Sequence, residues 1–289
     1  MLLGALCWSS PKPLFAQQNN QPQTKAENLS LRSHEDLDAV LWVQTSAEYE
    51  AIARQSFRLA ESNLGKALVD ASWTASREQQ RMFANKTQEL AKLPPAVILD
   101  IDETVLDNTK YQSRLIENEM EFSPKSWNDF VREEASPAIP GSKEFINACR
   151  EARVTVLYVS NREFEVEYAT RRNLASEGLL HEDDPDLIFS KNERKNWGSD
   201  KQPRRTYLAS RYRILMILGD DLNDFVSLGS RPTAKKRKDV ANKYADWWGR
   251  RWITLPNPNY GGWERSLYDW NDRSSRSEKL ENKRSKLSK

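Results

Sequence analysis

Cysteine is nearly absent from this 289-residue chain: Cys7 lies close to the amino terminus and Cys149 at an apolar helical position, so no disulfide framework is expected. Histidine is equally sparse, with only His34 and His181. Charge of one sign is missing too. Lys plus Arg number 44 against 42 Asp plus Glu, a formal net charge of +2, too balanced for a nucleic-acid polymer as partner. No apolar run is long enough to span a bilayer, and no internal repeat is visible. Aromatic residues, by contrast, are plentiful. Ten Trp and nine Tyr, several among polar neighbours, offer rings that can stack on a ligand as well as fill a core.

The length allows a sizeable core, and the pattern points to one large domain with attachments. Residues 1–30 read as a leader and spacer. A short apolar stretch ends in Leu14-Phe15-Ala16, which predicts a secretory leader cleaved after Ala16, although a basic start is missing. Leu6 stands before Cys7 where a lipidated cysteine wants a small residue. The polar, Pro-containing stretch that follows predicts a disordered spacer. Residues 31–93 form an amino-terminal helical region. Tyr49, Ile52, Ala53, Phe57, Ala60, Leu64, Ala67 and Leu68 recur at helical spacing behind Ser46 as N-cap, and a second helix is expected over residues 79–90.

Residues 94–265 carry the core. Short apolar runs at 96–99, 154–159, 187–189, 214–218 and 252–255 have the continuous character of strands buried on both faces of a parallel sheet. Strands alternating with helices give the fold class α/β, a Rossmann-like three-layer parallel sheet. The irregular stretch at about 109–139, holding Trp127 and Phe130 among charges, is too long for a simple connection and is expected to form a small cap insertion. Residues 266–289 are charged, and from about Ser274 aromatic-free, which predicts a solvated or frayed tail.

Three strands end in polar sets: Asp100, Asp102 and Thr104; Ser160, Asn161 and Arg162; Asp220 and Asp224. Each set alone is ordinary turn chemistry, but parallel strands bring their carboxyl ends to one edge, so the sets converge there. The residue types suit phosphoryl transfer through a covalent aspartyl intermediate. Clustered carboxylates repel unless a cation shares them, and oxygen ligands are those Mg²⁺ prefers, which makes Asp100 and Asp220 metal ligands. Asp100 would attack phosphorus. Asp102 would protonate the leaving oxygen and then act as base on water, its backbone carbonyl reaching the metal. Ser160 with the adjacent amide would bind the phosphoryl oxygens, and a Lys from the basic stretch 191–205 would neutralise charge in the transition state. Other routes fit badly: neither cysteine begins a Cys-x5-Arg loop, neither histidine lies in Arg-His-Gly, and an acid at Asp102 is superfluous to a dehalogenase.

D-I-D-E-T, V-S-N-R and G-D-D-L-N-D-F resemble motifs I, II and IV of the haloacid dehalogenase (HAD) superfamily. More narrowly, L-W-V-Q-T-S-A-E-Y from Leu41, D-E-T-V-L-D-N and L-P-N-P-N-Y-G-G-W-E resemble the class C acid phosphatases. These are secreted or lipoprotein bacterial enzymes, some of 5′-nucleotidase activity. The resemblance covers Leu41 to Trp263 and implies a Rossmann-like sheet with a small cap and a helical amino-terminal piece. It implies Asp100 as nucleophile, Asp102 as acid/base, Thr104 within the catalytic set, Ser160 as the motif II hydroxyl and Lys201, ahead of Lys191 and Lys195, as the motif III lysine. It assigns Mg²⁺ to Asp100, Asp102 and Asp220 with Asp224 in support. Asn161 and Arg162 would bind substrate, and Trp127 and Tyr260 would sandwich a base. The implied substrate is a small phosphomonoester, a 5′-nucleoside monophosphate above all, handled in a secreted or periplasmic location with outer-membrane association and a homo-oligomer left open. The rival readings are a broad-specificity acid phosphatase and, from another class, a catalytically weak secreted binding protein that keeps the fold. Retention of every expected catalytic residue argues against the last.

Overall fold

The computed structural model describes residues 35–181 and 184–288; the expected leader and spacer, Cys7 and His34 lie outside them. Among the described residues the first two helices are α1 (Leu37–Thr45) and α2 (Ala47–Val69). Ser46 divides them. Its backbone is extended and its Oγ accepts from Tyr49 N at 3.0 Å, an N-cap that satisfies a donor at the start of α2. Tyr49, Ala53, Phe57, Ala60, Leu64 and Ala67 form the buried stripe of α2, whereas Ile52, expected on that stripe, is 40% exposed.

The single helix expected over residues 79–90 is instead two short ones, α3 (Arg77–Met82) and α4 (Thr87–Ala91). Asn85 separates them at φ 63°, a left-handed conformation that asparagine tolerates better than most residues and that no helix continues through. What α3 contributes is the buried Gln79. Its amide donates to Ala209 O and Tyr212 O at 2.7 and 2.6 Å, while its carbonyl accepts from Thr74 Oγ1 and Ile214 N at 2.6 and 3.1 Å. A fully satisfied buried amide ties the amino-terminal helices to the sheet without an unpaired polar atom.

The sheet consists of β1 (Pro95–Leu99), β2 (Thr155–Glu163), β3 (Ile188–Lys191), β4 (Arg213–Gly219) and β5 (Trp252–Thr254). All pairings are parallel and the order is β3-β2-β1-β4-β5. Residues of β4 are buried along its whole length, as covering on both faces requires. Right-handed crossovers place the β1-β2 and β2-β3 connections on one face and the β3-β4 and β4-β5 connections on the other. Helix α2 fills the rest of the first face through contacts with β4 and β5. Chain direction across the sheet reverses between β1 and β4, so the crevice at the switch point opens between the ends of these two strands.

The insertion after β1 is more regular than expected, with helices α5 (Thr109–Glu117) and α6 (Pro124–Val131). Its two stalks pair where Asp107 N donates to Pro137 O and Ile139 N to Val105 O, both at 2.9 Å. Tyr111, Leu115 and Phe130 make its own small core, with half-buried Trp127 against it. Helix α7 (Ser142–Glu151) then leads into β2. That strand runs past its expected end at residue 159 to Glu163, so Ser160, Asn161 and Arg162 are strand residues. A 3₁₀ turn, Phe164–Val166, follows and leads into α8 (Glu167–Ser176).

Helices α9 (Gln202–Ala209), α10 (Leu222–Phe225), α11 (Ala234–Lys243) and α12 (Gly262–Arg265) complete the core region. The tail is not frayed. It forms α13 (Arg276–Ser285), started by a capping box between Ser275 and Glu278. Lys283 pairs with Glu264 at 2.6 Å, Lys279 with Glu121 of the cap at 2.7 Å, and Arg276 with Glu35 at 2.6 Å. A helix with so little apolar face is held by these non-local ion pairs, whose partners no local pattern reveals.

Candidate active site

At the end of β1, Asp100 is buried and its Oδ1 accepts from Ile101 N at 2.7 Å. At the end of β4 stands Asp220, which accepts from Asn257 Nδ2 at 2.8 Å and from the buried Thr104 hydroxyl at 3.3 Å. Asp224 lies in the single turn of α10, where its Oδ2 accepts from Asp221 N at 2.9 Å and completes a capping box. Gly219 makes this approach feasible, because a Cβ there would collide with the Asp224 carboxylate. One oxygen from each of Asp100, Asp220 and Asp224 lies within 4.8 Å of the other two.

Lys201, the N-cap of α9 and itself buried, places its Nζ 2.6 Å from both Asp100 Oδ1 and Asp224 Oδ1. Of the three lysines weighed from sequence, only this one reaches the carboxylates; Lys191 pairs with Glu163 at 2.7 Å and Lys195 is exposed. Burial works against the Lys201 charge, but Asp100 and Asp224 outweigh it and hold its pKa above the usual value. One ammonium does not balance three carboxylates. Burial, opposed by Lys201 and reinforced by Asp224 and Asp102, pushes Asp100 up to about 7. Burial, then Asp224 and Asp100, raise Asp220 well above the carboxylate range. A set of hard oxygen donors with surplus negative charge fits a small divalent cation.

The motif I turn continues through Asp102, Glu103 and Thr104. Glu103 adopts φ 53°, a conformation that costs a non-glycine residue on the order of 1 kcal/mol. Asp102 is not among the three clustered carboxylates. Its Oδ1 accepts from Arg162 Nε at 2.8 Å and from Asn108 Nδ2 at 3.0 Å. Asn108 is braced in turn by Ser136 Oγ at 2.7 Å.

On β2, Ser160 is buried and its Oγ accepts from Arg162 N at 3.0 Å. Asn161 is exposed, its amide donating to Ser199 O at 3.1 Å and its carbonyl accepting from Arg204 at 2.7 Å. Arg162, expected as a substrate ligand, is spent internally. It is 1% exposed and binds Asp102, Thr170 and Asn108, with its guanidinium 5.7 Å from the centroid of the Trp127 ring. Its place is behind Asp102 and Trp127, not open to the crevice.

Trp127 packs edge-on against Tyr111 at 5.1 Å and tilted on Phe130 at 5.7 Å. Tyr260 is half-buried in the loop after β5, and its hydroxyl donates to Glu103 Oε2. Tyr260 thus reaches the motif I turn from the β5 side, whereas Trp127 connects to it through Arg162, which bonds Asp102, on the β2 side. Sequence reasoning missed three members of this set. Glu103, raised well above the usual carboxyl range by burial and then by Asp102, Asp220 and Asp107, links the turn to Tyr260 and to Asn108 N. Asn108 orients Asp102, and Asn257 holds Asp220. All three lie inside motif stretches quoted above, where a buried polar residue beside a catalytic carboxylate is the available signal. A cavity of about 570 Å³ lies beside the cap stalks, lined by Thr45, Tyr49, Glu50, Asp107 and Lys110 among others and by none of the three clustered carboxylates. Glu50 and Asp107 outnumber Lys110 on this lining, which disfavours an anionic phosphate there.

A family model described as HAD superfamily, subfamily IIIB (acid phosphatase), matches residues 17–263. Among solved structures, the class C acid phosphatase from Bacillus anthracis is similar over 88% of this chain and 97% of its own, with TM-score 0.75 and 28% identity. The same protein with tungstate bound matches with the same values.

Proposed function

The chain belongs to the subfamily IIIB acid phosphatases of the HAD superfamily and is a phosphomonoester hydrolase, and from that premise we propose that it works with Mg²⁺, through an aspartyl-phosphate, on 5′-nucleoside monophosphates. The observation that carries the metal reading is the approach of Asp100, Asp220 and Asp224 to within 4.8 Å around Lys201 at the switch point. Asp100, Asp220 and the backbone carbonyl of Asp102 would hold the ion, with Asp224 in support. Mg²⁺ bound there supplies positive charge that offsets repulsion between a carboxylate nucleophile and a phosphate dianion. A similar protein holds tungstate, an oxyanion of the same chemical class as phosphate, and we extend oxyanion binding to this chain.

An Asp100 carboxylate oxygen attacks phosphorus, forming the acyl phosphate as the ester P–O bond breaks. Asp102 delivers its proton to the departing oxygen, then takes one from the water that opens the acyl phosphate. Lys201 neutralises the phosphoryl oxygens, and Ser160 with the amides of the β2 end receives them. Chelation tests the metal. EDTA is expected to abolish hydrolysis of an aryl phosphate and excess Mg²⁺ to restore it. Undiminished turnover in EDTA would remove the metal from the scheme.

The nucleotide preference rests on Trp127 and Tyr260. A base between these rings gains about 1–3 kcal/mol per stacked ring, and any base qualifies because each has a π-face. Trp127→Ala and Tyr260→Ala are each expected to raise KM for a 5′-nucleotide about 10-fold and to leave KM for a small alkyl phosphate nearly unchanged. Tyr260→Phe keeps the ring and should keep the wild-type KM for nucleotides, although it removes the hydroxyl that donates to Glu103. Equal losses on both substrates, or wild-type hydrolysis of glycerol phosphate as good as that of nucleotides, would leave a broad-specificity acid phosphatase.

We also place the mature enzyme outside the cytoplasm, soluble or loosely attached. Among the described residues no helix is long and apolar enough to cross a membrane. Cell fractionation decides the location, and an intact Met1 on cytosolic protein would overturn it. Mass spectrometry finding a diacylglyceryl group on Cys7 would replace the soluble form with an anchored one.

A further inference from the structure

Directly after Lys201, helix α9 carries two consecutive arginines, and both Arg204 and Arg205 are 0% exposed. Successive helical residues point about 100° apart, so the two guanidiniums leave the helix in different directions. Arg204 reaches the end of β2. It donates to Ser160 O, to Asn161 Oδ1 at 2.7 Å, to Gly198 O at 2.7 Å and to Phe189 O at 3.4 Å. Arg205 reaches the turn after β4. It donates to Asn223 O at 2.9 Å and Asp224 O at 3.1 Å, and its other nitrogen meets Glu78 Oε1 at 3.4 Å. Glu78 is buried in α3 and held by Ser76 Oγ at 2.9 Å.

We propose that Arg204 and Arg205 are positioning residues with divided duties, Arg204 setting the oxyanion-binding end of β2 and Arg205 the metal-supporting turn that carries Asp224. Neither touches the reacting atoms. Their common helix begins at Lys201, so one rigid element places the lysine, the Ser160-Asn161 backbone and the Asp224 turn in register. Stability is a poor reason to keep such residues. Burying two adjacent cations costs desolvation, and the Nε of each lacks a protein hydrogen bond. What the pair provides is forked, directional donation to backbone carbonyls of two loops, which lysine in the same place does not reproduce.

The inference rests on the phosphatase reading above, and its test separates the two. Arg204→Lys and Arg205→Lys are compared with wild type in the full chain by Mg²⁺ titration calorimetry without substrate and by competitive inhibition with inorganic phosphate at saturating Mg²⁺. Arg204→Lys is expected to weaken phosphate inhibition about 10-fold or more while Mg²⁺ affinity stays within about 2-fold. Arg205→Lys is expected to do the reverse, in the range of about 10–100-fold seen when groups behind metal ligands are removed. A merely structural role would move both constants together, or only thermal stability. Where a lysine variant does not fold, Glu78→Gln carries the test. It removes the carboxylate behind Arg205 alone, so weaker Mg²⁺ binding with unchanged phosphate inhibition supports the division. Parallel shifts, or none, overturn it. A wild type that hydrolyses no phosphomonoester overturns the functional reading and this inference with it; an active wild type whose variants do not split overturns the inference alone.

Discussion

Asp100→Asn is expected to give a folded protein with kcat on an aryl phosphate at least ~10⁴-fold below wild type, because an amide cannot form the acyl phosphate. Mg²⁺ affinity should fall as well, since an amide oxygen lacks the charge that makes a carboxylate a good ligand for a hard cation. The fold has no reason to suffer. The side chain is isosteric, its oxygen can still accept from Ile101 N, and Lys201 keeps Asp224 as partner at 2.6 Å. Stability of the metal-free protein supplies the control. Burial raises the folded pKa of Asp100 to about 7, above its value in the unfolded chain, so the ionised form is disfavoured by folding. Metal-free wild type therefore loses stability as pH rises through that range, and Asp100→Asn should be the more stable protein at pH 8. The gap closes as pH falls below the unfolded value. A folded variant that keeps more than about 1% of kcat would remove Asp100 from the role of nucleophile.

What made Asp100 visible without a structure is the same physics that isolates it. A strand buried on both faces must be apolar throughout, so the first carboxylate after residues 96–99 marks the sheet edge, and parallel pairing carries residues 160 and 220 to that edge. Ser46 was legible because capping is local, whereas Lys201 was singled out from Lys191 and Lys195 only by family resemblance. The positions that escaped reading depend on partners far along the chain. Glu103 meets Tyr260 from 157 residues away, and Gln79 meets Ile214 N from 135. Arg204 and Arg205 sit in a stretch whose composition reads as a solvated basic loop, yet both are fully buried. The tail helix is quiet in sequence for the same reason, since Glu35 and Glu121 that hold it lie 241 and 158 residues upstream of their partners. Composition describes a segment's average environment, whereas buried ion pairs and carbonyl clasps belong to single pairs of positions.

Asp102 shows how far such pairs govern chemistry. Arg162, itself locked by Asn108 and Thr170 beneath Trp127, fixes the Asp102 carboxylate by its Nε at 2.8 Å, so cap, β2 and motif I meet at one side chain. Asp102→Asn keeps a carbonyl oxygen for Arg162 and is expected to fold, but it has no proton to give. The consequence depends on the leaving group. For an alkyl phosphate, whose alkoxide departs poorly without a proton, kcat/KM should fall about 10²–10⁴-fold, the usual worth of a positioned acid. For dinitrophenyl phosphate, whose phenolate leaves unaided, the first step should be slowed far less. Hydrolysis of the acyl phosphate, however, still lacks the base that Asp102 supplies to water. The variant should therefore release one equivalent of dinitrophenol in a burst and then turn over slowly, with phosphate retained on Asp100 and detectable by mass in the acid-quenched protein. Equal losses on alkyl and aryl substrates without a burst would mean that Asp102 only shapes the turn, and the proton would have to come from another group.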